Sequence, residues 1–167
     1  MSHASRFVPA LAATGVLVLA GCGSSAVHLN PAPDADNPDC ARAMVAMPEE
    51  LAGMVQRETT AQATTAWGDP AEVIVTCGVQ VQEPVSDPCA SVNGVDWILK
   101  PTDSAEAKNT EAKGTWAATT YGRSPNLQIT FNADKVSSSS LLIDLNSAVA
   151  QLPQVKKCQN VDDTLSL

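Results

Sequence analysis

Trp116-Ala117-Ala118-Thr119-Thr120-Tyr121-Gly122-Arg123-Ser124-Pro125-Asn126-Leu127-Gln128-Ile129-Thr130-Phe131 is the stretch on which the reading of the fold turns. Leu127, Ile129 and Phe131 alternate with Gln128 and Thr130, the two-residue period of a strand with one buried and one wet face. Gly122 to Asn126 is a run of turn formers, so 116–121 and 127–131 read as the arms of a hairpin.

The same logic extends upstream. Asn93-Gly94 lies between the apolar ends of Cys89–Val92 and Val95–Leu99, and both central positions of a type I′ turn need φ > 0, which Asn and Gly tolerate. Val73-Ile74-Val75-Thr76-Cys77 is a β-branched run suited to a central strand, entered from the turn Trp67-Gly68-Asp69-Pro70. Leu51 to Arg57 reads as the first strand and Lys100 to Gly114 as a polar loop. Asn37-Pro38 is an N-cap residue followed by proline at N1, opening a helix that puts Cys40, Ala43 and Met44 on one face and stops at Pro48. Downstream, the serine run 137–140 caps a second helix, in which Leu141, Leu142, Leu145, Ala148, Val149 and Leu152 recur at helical spacing up to Pro153. The expected class is α+β: a small, mainly antiparallel sheet, a short N-terminal helix, a C-terminal helix and two disulfides in a single domain over 38–167.

The chain has 167 residues, and its first 21 read as an export signal. Arg6 supplies the positive start, and Phe7 to Ala20 is a nearly unbroken apolar run. Fourteen helical residues span about 21 Å, short of the ~30 Å hydrocarbon core, which suits a secretory signal rather than a membrane span. Leu19-Ala20-Gly21-Cys22 then has the form of a lipobox, in which the thiol accepts a diacylglyceryl group and becomes the first residue after cleavage. Two or more acyl chains hold a protein on a membrane where one does so marginally. Residues 22–37 carry Pro31 and Pro33 among Gly, Ser, Asn and Asp, with no packing face, and read as a flexible tether to that lipid. The expected location is the extracytoplasmic face of the cell membrane.

Formal charge is −8, and loss of Arg6 with the leader takes it to −9. Phosphate neutralisation supplies most nucleic-acid affinity, so no nucleic-acid partner is expected. The histidines are His3, in the leader, and His28, in the tether. A Ser-His-Asp or Cys-His arrangement therefore has no histidine in the expected domain. No C-x-x-C occurs, the four remaining thiols are widely spread and no histidine lies past residue 28, so structural zinc is not expected; no other metal and no cofactor is expected either. Cys40, Cys77, Cys89 and Cys158 remain once Cys22 is set aside, and export makes disulfides their default use. Four cysteines allow three connectivities, and spacing does not choose among them.

Asp69, Asp87 and Asp96 are the acidic candidates. Asp69 and Asp96 flank turns, where a carboxylate ordinarily bonds nearby N–H groups; a glycosidase-like pair would need two carboxylates about 5–10 Å apart across a cleft. Arg123, beside Gly122, could bind a carboxylate or phosphate. Closing its turn, or pairing with Asp69 or Asp96, is the commoner role for such an arginine. Trp67, Trp97 and Trp116 could line a groove, but an aromatic-poor core needs them for packing.

Cys40 and Pro48, Trp67-Gly68-Asp69-Pro70, Cys77-Gly78-Val79, Val92-Asn93-Gly94-Val95-Asp96-Trp97 and Gly122-Arg123, in this order and spacing, resemble an actinobacterial family of exported proteins and lipoproteins known only as a domain of unknown function. The resemblance covers roughly 38–152. It implies an envelope location in a Gram-positive, often mycolate-bearing, bacterium, and transfers no activity. The expected pairing is Cys40–Cys77 with Cys89–Cys158; the resemblance favours the first pair, which travels with the shared motifs. Function is expected to be that of a membrane-anchored envelope lipoprotein whose domain binds a protein, glycan or lipid without catalysis. The alternative is a carboxylate-dependent cell-wall hydrolase or transferase.

Overall fold

The computed structural model describes residues 26–81, 87–102 and 114–158. The leader (1–21) and Cys22 lie outside the described residues, as do the middle of the 100–114 loop and the tail after Cys158. Among the described residues, helix α1 (Pro38–Val45) precedes strands β1 (Glu50–Leu51), β2 (Met54–Arg57), β3 (Thr64–Trp67), β4 (Val73–Val79), β5 (Cys89–Val92), β6 (Val95–Pro101), β7 (Thr115–Tyr121) and β8 (Asn126–Asn132). Two short helices follow, α2 (Ser138–Asp144) and α3 (Asn146–Val149). No helix among these residues is long and apolar enough to cross a membrane.

All eight strands form one antiparallel sheet in the order β1-β2-β3-β4-β8-β7-β6-β5. Two meanders meet where β4 pairs with β8, and these two strands carry the cleanest alternation. Val73, Val75 and Cys77 face the same side as Phe131, Ile129 and Leu127 opposite them, all fully buried. Leu141, Leu142, Leu145, Ala148, Val149 and Leu152 complete that core from above, together with Cys40 and Ala43 of α1. The helices thus cover one face. The other face presents Ile74, Thr76, Gln128, Thr130 and Thr119, which are half-buried.

The structure is richer in β than the α+β expectation, and three local differences explain why. The expected first strand, Leu51 to Arg57, is a hairpin: Ala52 and Gly53 take φ of 52° and 75°, turning the chain between β1 and β2. Thr64–Trp67 is a strand, so Trp67 ends β3 rather than opening a turn; its indole is buried and donates to the Pro48 carbonyl. The C-terminal helix breaks at Leu145 into α2 and α3. Ser137 occupies the N-cap position, but its hydroxyl lies 3.0 Å from that of Ser139 instead of bonding the helix backbone. At α1 the expected cap is present: the Asn37 side chain accepts from Asp39 N–H at 3.1 Å and Pro38 opens the helix.

The segment expected as tether also differs. Its described part, 26–37, is bonded to the body. Val27 pairs with Thr59 in a parallel bridge, donating to the Glu58 carbonyl at 2.9 Å and accepting from Thr60 N–H at 3.0 Å. Asp34 N–H donates to the Gly78 carbonyl at 3.0 Å, and Ala35 is buried. Gly78 is what admits this segment. It sits at a bulge in β4 with φ of 89°, and a Cβ there would overlap the Asp34 backbone. Backbone hydrogen bonds and a missing side chain hold 26–37, so apolar periodicity gave no sign of it.

Both disulfides join as expected. Cys40–Cys77 ties α1 to the central strand, buried, with its Cα atoms 5.7 Å apart. Cys89–Cys158 ties edge strand β5 to the chain end, half-buried, at 6.1 Å. Loops of 37 and 69 residues correspond to roughly 4 kcal/mol each in the chain-entropy account.

Candidate functional site

The connection between β7 and β8 holds Arg123, whose guanidinium is buried. Nη1 donates to the Leu152 carbonyl at 2.6 Å and Nη2 to the Gly94 carbonyl at 3.1 Å. One side chain thereby joins three pieces distant in sequence: the β7–β8 turn, the β5–β6 turn and the end of the helical layer. Burial pushes the guanidinium below its ordinary value, and the Asp96 carboxylate offsets part of that shift. An arginine so placed remains a cation at neutral pH.

Beyond Pro153 the chain runs as a strap over the same turn. Ser124 N–H donates to the Pro153 carbonyl at 3.0 Å, Arg123 and Gln154 form an antiparallel bridge, and the Gly122 carbonyl accepts from Val155 N–H at 2.7 Å and Lys156 N–H at 3.1 Å. Gly122 has φ of 68°, and a Cβ on it would overlap the Lys156 carbonyl. Asp96, also buried, accepts from Cys158 N–H at 2.8 Å, just where the strap enters the Cys89 disulfide. The Arg123 and Asp96 side chains are therefore brought to one place, where their hydrogen bonds go to backbone. Turn closure is the role the geometry gives Arg123.

Asp69 is elsewhere. It follows β3, at the sheet end opposite the start of β6, where Asp96 sits, and four strand positions away across the sheet. At about 4.8 Å per strand that is on the order of 19 Å, beyond the 5–10 Å of a glycosidase pair. Asp69 meets Arg57 at 3.0 Å, and the same Arg57 nitrogen donates to the Gly68 carbonyl at 3.1 Å. A cavity of about 360 Å³ opens here, lined by Met54, Val55, Gln56, Arg57, Gly68 and Asp69. Arg57 has no sequence signature as a site residue: it ends an irregular short strand, and only the fold brings it to Asp69. Asp87 pairs with Lys100 at 2.6 Å. Trp67 and Trp97 are fully buried and Trp116 packs against the core, so all three serve packing. His28 is exposed, next to the Val27 bridge.

These features define a disulfide-stapled antiparallel β domain with one helix-covered face and a C-terminal strap clamped by a buried arginine. Residues 6–157 match the family described as protein of unknown function DUF3515, and the chain belongs to that family. No curated protein and no solved structure shows a detectable match to it.

Proposed function

We propose that the chain is a cell-envelope lipoprotein of an actinobacterium, held on the extracytoplasmic face of the membrane through acylated Cys22, and that its domain binds an envelope partner without catalysing a reaction. The short apolar run followed by Leu19-Ala20-Gly21-Cys22 supports the anchor. Two disulfides in a chain of this size fit an oxidising compartment. One observation carries the non-catalytic half: Asp69, Asp87 and Asp96 each engage a separate structural partner, and Asp69 and Asp96 lie at opposite ends of the sheet. A glycosidase-like mechanism needs two carboxylates about 5–10 Å apart across one substrate bond.

Fractionation of cells carrying Cys22→Ala tests the anchor. The variant is expected in the medium or as an uncleaved precursor. A normally cleaved Cys22→Ala chain retained in the membrane fraction would overturn it.

A further inference from the structure

The N-terminal chain is fixed to the body much closer to Cys22 than a free tether would allow. Val27 is hydrogen-bonded to Glu58 and Thr60, in the connection between β2 and β3. It lies five positions after Cys22, and a fully extended chain covers at most ~3.6 Å per residue, or about 18 Å. The domain therefore has one end that an anchored Cys22 keeps near the lipid.

Sheet register shows what else lies at that end. Thr64, at the start of β3, faces Thr76; Thr76 faces Gln128 near the start of β8; Gln128 faces Thr119 near the end of β7. The β2–β3 connection and the β7–β8 turn consequently share one end of the sheet. They are three strand spacings apart, about 14 Å at 4.8 Å each. The strap is clamped to that turn through Gly122 and Ser124. It carries Val155, 62% exposed, followed by Lys156 and Lys157, the one adjacent pair of cationic side chains in the sequence. An exposed apolar side chain with the exposed ammonium of Lys157 two residues on suits a surface of phosphate headgroups over acyl chains.

We propose that this end of the sheet lies on the membrane, with Val155 at the lipid interface and Lys157 against lipid phosphates. The proposal rests on acylation of Cys22. The chain as a whole is acidic, so orientation by the tether, not net charge, brings this strap to the lipid. The opposite end, beyond Asn132 of β8 and about 24 Å along a seven-residue strand, then faces away from the membrane.

A benzophenone-bearing amino acid in place of Val155, or in place of exposed Lys135 beyond the far end of β8, tests this in the full acylated chain. Each protein is reconstituted in phosphatidylcholine–phosphatidylglycerol vesicles, floated, irradiated and analysed for lipid adducts by mass. Adducts are expected to be several times more abundant at 155 than at 135. Equal or reversed labelling in vesicle-bound protein, or adducts at 155 only to a second copy of the chain, overturns the orientation and leaves the anchor standing. Failure of the acylated chain to float with the vesicles overturns both. Intact mass under non-reducing conditions, with both disulfides present, verifies that each labelled chain is folded.

Discussion

The Arg123 guanidinium donates to the Leu152 carbonyl at 2.6 Å, bonding a β-hairpin turn to the buried bend just past α3. With the second donation to Gly94, this closes the β5–β6 turn, the β7–β8 turn and the strap into one unit. Asp96 completes it by accepting from Cys158 N–H.

Arg123→Ala removes two charge-assisted hydrogen bonds and leaves two carbonyls to find new donors in a poorly solvated site. Bonds to a charged group contribute about 1.5–3 kcal/mol each before relaxation, so a loss of about 3 kcal/mol is expected in denaturant unfolding. Arg123→Lys should recover only part of it, since one ammonium lacks the fork that spans both carbonyls. A loss below about 0.5 kcal/mol, the size of an ordinary surface change, would contradict the clamp.

Gly122→Ala and Gly94→Ala separate backbone strain from crowding. Both positions have positive φ, at 68° and 80°, but only Gly122 lies against another backbone, that of Lys156, whereas the space around Gly94 is open. A left-handed Ala costs roughly 1–2 kcal/mol at either site. Gly122→Ala should cost at least about 1 kcal/mol more, because the strap must move. Equal losses in thermal or denaturant melts would mean that the strap does not rest on Gly122.

The disulfides should differ in susceptibility to reductant. Cys40 and Cys77 are 1% and 0% exposed, while Cys89 and Cys158 are half-buried. Thiolate attack needs access to sulfur. Mild dithiothreitol followed by alkylation and peptide mapping of the native protein should label Cys89 and Cys158 first, and Cys40 and Cys77 only on unfolding. Simultaneous labelling of all four would contradict the burial described.

Legibility in the sequence followed the source of the structural force. Leu127-Gln128-Ile129-Thr130-Phe131 announces its buried face because apolar burial writes a period of two into the residues. Asn93-Gly94 announces its turn because few residues tolerate φ of 48° and 80° in succession. Ala52-Gly53 makes a similar reversal, but alanine carries no such signature, and one strand was expected where two stand. Residues 26–37 and 153–158 are held chiefly by backbone hydrogen bonds, two glycines without room for a Cβ, and a disulfide. None of these forces leaves a periodic pattern. Arg123 was visible as a cation at a turn, but the carbonyls it serves, 29 residues away on either side, are set by tertiary structure alone.

Mass spectrometry of the N-terminal peptide of the chain recovered from its own membranes tests the central claim most directly. A chain beginning at Cys22, with a diacylglyceryl mass on that residue, is the result predicted. An unmodified Cys22, or a chain in membranes that still carries residues 1–21, would contradict it.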